Sequence, residues 1–170
     1  MLEFTKHHED TQGILFCARA VTKDDLRYGG AMNMLCVQSG QMIATDGHRI
    51  HIYKLMNPLA DGLYRVIVKT KVKITIHQEI DPPQFPDWER IIPQGDCVEI
   101  PQLNFTEAAD LSQAFARIVR ALPEDVTLNY RFLEDLADSV FTAKIFHQSN
   151  YTPVVFTDDN KQALIMPMKI

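Results

Sequence analysis

The chain has 170 residues, 46% of them hydrophobic and 23% charged, and its 22 acidic and 17 basic residues give a net charge of −5. This length fits one domain of ordinary size with a substantial core, and the composition is typical of a globular protein. The negative charge disfavours a protein that coats nucleic acid with its whole surface, but it is compatible with a local basic patch.

The sequence indicates neither a membrane anchor nor a cysteine framework. No segment approaches the roughly 20 apolar residues of a membrane span, and the start of the chain lacks a basic segment followed by an apolar one. Cys17, Cys36 and Cys97 lie far apart without CxxC spacing, so they predict small buried side chains rather than disulfides or a zinc site. We therefore expect a cytoplasmic protein that contacts no membrane and holds no metal or other cofactor.

The first half of the chain predicts one helix followed by antiparallel strands. Apolar residues at helical spacing follow a cap at Asp10 or Thr11 and continue to about Ala20. The later segments are short and rich in β-branched residues, and Ser39 with Gly40 is typical of a hairpin turn. We expect strands over residues 31–37, 41–45 and 50–55, the first of them opened by Gly29 and Gly30, and either a strand or a hairpin over residues 63–76.

A proline-rich segment follows the first half. Residues 81–95 contain four prolines around several large apolar side chains, which predicts a stiff and packed connector. We therefore expect a single domain of two halves, about 1–80 and 96–170, joined by this connector.

The second half predicts two helices and several short strands. Asn104 and Glu107 have the spacing of a capping box, and the apolar stripe that follows predicts a helix that stops at Pro123. Asn129 is expected to cap a second helix over residues 130–138. We expect strands over residues 97–100, 126–128, 140–147, 153–156 and 162–169. This order of elements is typical of an α+β domain with a mainly antiparallel sheet.

The densest group of chemically capable side chains surrounds Gly47. Asp46, His48 and Arg49 could supply a base, an acid and an anion clamp, as a catalytic loop requires. No nucleophile elbow and no second acidic motif with metal-ligand spacing accompanies them. A tight structural bend and a surface that binds a partner therefore stay open as alternatives to catalysis.

Five basic residues are candidates for contact with DNA. Lys69, Lys71 and Lys73 alternate with apolar residues, which predicts one basic face on a strand. A solvated strand edge, kept from aggregating by lysine, is favoured over DNA contact for these three. Arg117 and Arg120 lie off the apolar stripe of the long helix and face either phosphate or water.

The last eight residues, 163–170, are almost wholly apolar. Met166 and Met168 flank Pro167, and such an adaptable apolar surface is typical of sites that accept peptides. A buried edge strand is the alternative interpretation. A peptide-accepting surface and a buried edge strand are compatible interpretations, because a strand can be buried on one side while its end forms part of a groove.

Three stretches of the sequence resemble signature stretches of the bacterial sliding clamp, the beta subunit of DNA polymerase III. They are residues 44–50 (ATDGHRI), 85–93 (FPDWERIIP) and 164–170 (LIMPMKI), and they occur in the family's order. Residues 20–25 and 128–133 also resemble clamp segments. One such motif alone is a weak signal, whereas three in order are a specific one.

The resemblance implies a DNA-clamp-like α+β fold. Such a fold has curved antiparallel sheets with a few helices packed on one side, here in two βαβββ-like halves. In clamps the three stretches form a groove that receives short linear peptides from polymerases, clamp loaders and repair proteins. Carried over position by position, the groove residues are Thr45, Gly47, His48, Arg49, Ile50, Pro86, Arg90, Ile91, Leu164, Met166, Pro167 and Met168.

Clamps of this family have three domains and close a ring from two subunits, so the chain resembles a shortened member that lacks the first domain. The leading expectation is a non-enzymatic, clamp-like replication protein of phage or mobile-element type, whose partners carry clamp-binding linear motifs. A homo-oligomeric ring that encircles double-stranded DNA as a processivity factor is the first alternative. A small enzyme that uses Asp46, His48 and Arg49 is the alternative of another class.

Overall fold

The helices and strands fall into two units, Met1–Asp87 and Trp88–Ile170. The computed structural model describes residues 1–137, 139–146, 148–149 and 151–170. Within these ranges each unit starts with a strand and a helix and continues mainly with antiparallel strands, which confirms the predicted α+β class. The boundary between the units lies inside the proline-rich segment 81–95, and the assignment of both to one domain stays a prediction. None of the described helices has the length and apolar character that a membrane crossing requires.

The first unit contains β1 (Leu2–Thr5), α1 (Thr11–Cys17), β2 (Met34–Gln38), β3 (Gln41–Thr45), β4 (Arg49–Lys54), β5 (Gly62–Lys69) and β6 (Lys73–Gln78). Its strands are hydrogen-bonded in the order β1-β6-β5-β2-β3-β4, and each of these pairings is antiparallel. The helix α1 packs against β3, β4 and β6. The inner strand β2 is buried at four of its five positions, as its apolar sequence predicts.

The helix α1 is shorter than its apolar spacing predicts. It ends at Cys17 rather than near Ala20. Beyond it, the amide of Arg19 bonds to Phe16 O at 3.3 Å and that of Ala20 to Cys17 O at 2.9 Å. These are the three-residue spacings of a 3-10 turn, so the chain tightens before it leaves the helix.

The strand expected from residue 31 begins only at Met34. Before it, Tyr28, Gly29 and Gly30 have φ angles of 51°, 62° and 83° inside the irregular 3-10 segment Arg27–Asn33. These left-handed angles are incompatible with a strand. The two glycines therefore belong to a coiled segment and do not open the strand.

The predicted hairpin turn between β2 and β3 is confirmed. Ser39 and Gly40 have φ angles of 51° and 76°, and positive φ at both central residues is what a type I′ turn requires. A second hairpin joins β5 to β6, so residues 63–76 form a hairpin rather than one strand.

The second unit contains β7 (Cys97–Asn104), α2 (Ala108–Val119), β8 (Val126–Thr127), α3 (Tyr130–Glu134), β9 (Val140–Phe146), β10 (Val154–Thr157), β11 (Lys161–Ile165) and β12 (Met168–Lys169). Four strands pair antiparallel in the order β11-β10-β9-β7, and β8 pairs separately with β12. Phe105 packs edge-on against Phe141 and Phe156 at centroid distances of 6.0 and 6.1 Å. These aromatic rings form part of the unit's core.

The predicted capping box of α2 is wrong, whereas the predicted cap of α3 is confirmed. Asn104 ends β7, and its amide group donates to Asp110 Oδ2 at 2.9 Å. Because α2 begins only at Ala108, Asn104 lies too far from the first turn for a reciprocal box. Asn129 does cap α3, since its Oδ1 accepts from the amide of Arg131 at 3.1 Å.

The strand expected over residues 162–169 is divided in two by Pro167. A proline has no backbone N–H to donate to a ladder, so β11 ends at Ile165 and β12 starts at Met168. The helix expected over residues 130–138 is shorter: α3 ends at Glu134, and the amides of Leu136 and Ala137 bond to carbonyls three residues back, as in a 3-10 turn. The predicted end positions Asp138 of this helix and His147 of a strand lie outside the described residues.

Candidate functional site

The cluster around Gly47 lies in the turn that joins β3 to β4, and residues 45–50 are named here the Asp46 loop. Thr45 and Ile50 pair at the base of the loop and are only 5% and 4% exposed, so they anchor it in the core. Gly47 has a φ of 85°, which favours glycine. The side chain of His48 projects from the loop and is 70% exposed.

Hydrogen bonds inside the Asp46 loop fix its shape. Oδ1 of Asp46 accepts from the amides of His48 and Arg49 at 2.9 and 3.0 Å, and Oδ2 accepts from Arg49 Nε at 3.0 Å. The Thr45 hydroxyl donates to Arg49 O at 2.7 Å and accepts from the Gly47 amide at 3.1 Å. The carboxylate and the hydroxyl are therefore engaged in holding the loop.

Two arginines fasten the loop to the rest of the first unit. Nη2 of Arg49 donates to Arg19 O at 2.7 Å, and the Arg49 side chain is only 11% exposed. Nη2 of Arg27 donates to Asp46 O at 3.1 Å, while the same guanidinium binds the carboxylate of Asp25 at 2.6 Å. Hydrogen bonds from Arg27 hold the pKa of Asp25 below its usual range.

Sequence reasoning missed the partners outside the Asp46 loop. The contacts to Arg27 and Arg19 span 19 and 30 residues, and local patterns do not reveal such distances. One signal was present, because the Asp25 and Arg27 pair directly precedes Gly29 and Gly30, where a tight backbone segment is expected.

The geometry of the Asp46 loop gives a bend or a binding surface better support than catalysis. Nδ1 of His48 lies 3.9 Å from Asp46 Oδ1. This is longer than the about 2.6–3.2 Å over which a general base contacts its partner. Within the described ranges, no group of three His, Cys, Asp or Glu side chains has the geometry to hold a metal ion.

The second stretch contributes residues to both units. Pro86 is half-buried near the end of the first unit, whereas Arg90 and Ile91 belong to the second unit and are exposed, Ile91 by 43%. The neighbouring Trp88 is only 6% exposed. The short 3-10 turn Glu89–Ile91 therefore carries the two exposed side chains directly after a buried anchor.

The third stretch follows β11 to the end of the second unit. Leu164 is 1% exposed and belongs to the core, so it supports the surface from beneath. Met166 and Pro167 are half-buried, and Met168 is 43% exposed in β12, where it pairs with Thr127 of β8. The two methionines and the proline thus form a partly exposed apolar surface.

Pro167 also lines a cavity of about 230 Å³ within the second unit. Sites for whole small molecules usually measure about 300–1,000 Å³, so this cavity suits one or two side chains of a ligand. Its other lining residues come from the turn after α2, from β8 and from the end of β9 with the loop after it: Leu122, Pro123, Val126, Ile145, Phe146, Gln148, Ser149 and Thr152.

The single basic face expected from three lysines is wrong, because a hairpin turn separates them. Lys69 ends β5, Lys73 begins β6 and Lys71 lies in the turn between them. Nζ of Lys69 donates to Ala18 O at 2.8 Å, and Nζ of Lys73 lies 2.8 Å from Glu3 Oε2. Two of the three ammonium groups are therefore engaged within the first unit.

The two arginines of the long helix are exposed. Arg117 lies on α2 and donates to Pro101 O at 3.1 Å, and Arg120 is the C-cap of that helix. DNA contact by these arginines and by the three lysines stays a prediction.

Comparison by sequence gives no match: no protein-family model matches the chain, and no curated protein matches it. Comparison by structure gives consistent matches. The DNA polymerase sliding clamp from Pseudomonas aeruginosa matches 99% of this chain with a TM-score of 0.61 at 15% identity. The DNA polymerase III beta chain from Streptococcus pneumoniae matches 99% with a TM-score of 0.63 at 14% identity. The sliding clamp from Bartonella birtlesii bound to griselimycin matches 99% with a TM-score of 0.60 at 15% identity.

The chain spans 64–66% of the length of these clamps. At such low identity the likeness establishes the fold and not the activity. The predicted clamp-like fold is confirmed, since the matches cover nearly the whole chain. This chain has the fold of the bacterial sliding clamp, the beta subunit of DNA polymerase III.

Proposed function

We propose that this chain is a non-enzymatic, sliding-clamp-like protein of DNA replication that binds short linear peptides of replication proteins. The proposed site is built from residues of the three stretches, some of which contact the peptide while others hold the site in shape: Thr45, Gly47, His48, Arg49 and Ile50; Pro86, Arg90 and Ile91; and Leu164, Met166, Pro167 and Met168. The clamp fold over nearly the whole chain makes this role reasonable.

The observation that carries the proposal is the Asp46 loop. Its carboxylate, its threonine hydroxyl and the Arg49 guanidinium are bonded inside the first unit, while the His48 side chain is 70% exposed. A loop held in this way presents a polar side chain without having to be ordered when a ligand binds. Binding is favoured over chemistry, because Asp46 is already engaged.

The Met-rich end of the second unit supports the same proposal. Met166, Pro167 and Met168 are partly exposed, and Pro167 borders a cavity of about 230 Å³. Methionine adapts to irregular apolar ligands, and pockets of this kind receive the anchor side chains of peptides. A Leu or Phe anchor therefore matches the chemistry of this surface.

The test is a titration of the whole chain with a short peptide that carries Leu and Phe anchors, followed by calorimetry or fluorescence anisotropy. Griselimycin is a second probe, since the Bartonella birtlesii clamp binds it. His48→Ala and Met168→Ala change exposed side chains and are expected to weaken binding about tenfold each. Leu164→Ala is avoided because a buried Leu→Ala change costs about 2–5 kcal/mol of stability.

Exposed residues far from the three stretches provide the control. Val140→Ala changes a side chain that is 51% exposed at the start of β9, at the other end of that strand from the cavity-lining Ile145 and Phe146, and it should leave the affinity unchanged. No saturable binding of either probe, or equal binding by wild type and by a His48→Ala, Met168→Ala double variant, would refute the proposal.

A second candidate is a ring of several copies that encloses double-stranded DNA as a processivity factor. The favouring observation is that β1 and β7 are edge strands, each with one described neighbour in its own unit. Edge strands offer unpaired backbone groups to another chain. Sedimentation tests this candidate, since a monomer at high protein concentration excludes the ring and leaves peptide binding unaffected.

A further inference from the structure

Two carbonyl groups just beyond α1 accept hydrogen bonds from basic side chains of other segments. Nζ of Lys69 donates to Ala18 O at 2.8 Å, and Nη2 of Arg49 donates to Arg19 O at 2.7 Å. Carbonyls at the end of a helix lack partners within the helix, and cations are favourable there. Both contacts therefore fasten a distant segment to the end of α1, but only Arg49 belongs to the Asp46 loop.

Arg49 connects this helix end to the carboxylate that shapes the loop. Its Nε donates to Asp46 Oδ2 at 3.0 Å, while Oδ1 of the same carboxylate accepts from the His48 amide at 2.9 Å. The chain of contacts runs from Arg19 O through Arg49 and Asp46 to the backbone of His48. These contacts therefore connect the guanidinium to the backbone that carries the imidazole.

The exposure of the two side chains separates their roles. The Arg49 side chain is 11% exposed, whereas that of His48 is 70% exposed. A guanidinium that donates to both a carboxylate and a carbonyl, with little exposed surface, has little to offer a ligand.

We infer that Arg49 is a positioning residue that sets the place of the His48 imidazole and makes no contact with the bound peptide. The inference rests on the proposed function, because it divides the loop residues into one that recognises the peptide and one that places it. Because Arg49 acts on His48 through Asp46, the loss of Arg49 should weaken peptide binding only as far as His48 contributes to that binding.

The first experiment needs no peptide. The side-chain resonances of His48 are compared by NMR in wild type, Arg49→Met and Arg49→Lys. Both variants should shift them, since lysine keeps the charge but cannot donate to Asp46 and Arg19 O together. Lys69→Met is the matched control, because it removes the neighbouring contact to α1 without touching the Asp46 loop, and it should leave them in place. Unchanged His48 resonances in both Arg49 variants would overturn the inference.

The second experiment uses a short peptide with Leu and Phe anchors, prepared with a free and with an amidated carboxyl terminus. Arg49→Met should lower the affinity for both peptide forms equally, by about tenfold. In a His48→Ala background the same change should cause no further loss of affinity. A loss confined to the free carboxylate, or one that persists in full without His48, would indicate direct contact and overturn the inference.

The two experiments separate this inference from the proposed function. Wild-type protein that binds neither peptide overturns the proposed function, and the His48 resonances then decide the role of Arg49 by themselves.

Discussion

His51 makes the stability of the first unit sensitive to acid, and replacing it with Asn should remove that sensitivity. Its side chain is 0% exposed, with Nδ1 2.8 Å from Phe16 O and the imidazole stacked on the Phe16 ring at 4.3 Å. A carbonyl only accepts, so Nδ1 carries the proton. Among the described residues Nε2 has no hydrogen-bond partner. Burial lowers the pKa of His51 to about 3.

The magnitude follows from proton linkage. The unfolded chain takes up a proton at the ordinary histidine pKa of about 6.5, whereas the folded protein resists it until about 3. The stability that comes from keeping His51 neutral in the folded protein is therefore fully present above about pH 6.5 and is lost as the pH falls toward 3. Between pH 7.5 and pH 5 this one residue should remove about 2 kcal/mol from the free energy of unfolding.

Urea unfolding of wild type and His51→Asn at the two pH values measures the effect. Asn places an amide N–H near the position of Nδ1 but does not titrate, so the variant should start less stable and lose about 2 kcal/mol less on acidification. His77→Asn changes an exposed histidine and serves as the control. It should lose as much free energy of unfolding on acidification as wild type does. Equal acid losses in wild type and His51→Asn would refute the reasoning.

Two further predictions concern backbone shape and a buried carboxylate. Gly47→Ala should lower the stability measured by thermal unfolding more than the control Gly40→Ala does. Both positions have positive φ, so alanine introduces about 1–2 kcal/mol of backbone strain at each of them. The difference arises because a Cβ at Gly47 would lie 3.2 Å from Nη1 of Arg27, whereas Gly40 has open space; equal costs would contradict this. Asp10→Ala should cost about 2–3 kcal/mol in urea unfolding, because the carboxylate accepts from the Tyr53 hydroxyl and from amides of the loop after β4. Burial raises the pKa of Asp10, but these hydrogen bonds together hold it below its usual value, so this stabilisation should persist down to mild acid and disappear only as the pH falls below the range of an ordinary carboxyl.

Local features of the fold were predictable because their causes lie close together in the sequence. The turn at Ser39 and Gly40, the cap at Asn129 and the apolar stripe of the long helix each depend on residues a few positions apart. The same holds for the break at Pro167, whose missing N–H follows from its covalent structure, although the sequence reasoning did not apply it.

Long-range features were not predictable. The sequence predicts a cap at Asp10 or Thr11, and Asp10 is the N-cap residue of α1, but its carboxylate makes no capping bond and instead accepts from residues 43–47 positions away. Arg19 and Arg27 hold the Asp46 loop over separations of 30 and 19 residues, and the local sequence around them does not show which loop they contact. The lysines were placed on one face because alternation predicts a strand but does not reveal where the strand reverses. The signature stretches, by contrast, pointed to the clamp fold without any geometry.

The break at Pro167 gives the end of the second unit its own local stability. β12 is held to β8 by the pairs Met168 with Thr127 and Lys169 with Val126, whereas β11 pairs with β10 over four positions. Segments held by few hydrogen bonds open without global unfolding. The backbone that carries Met168 can therefore separate from β8 while β7, β9, β10 and β11 stay paired, and its amides should exchange with solvent well before those of β11.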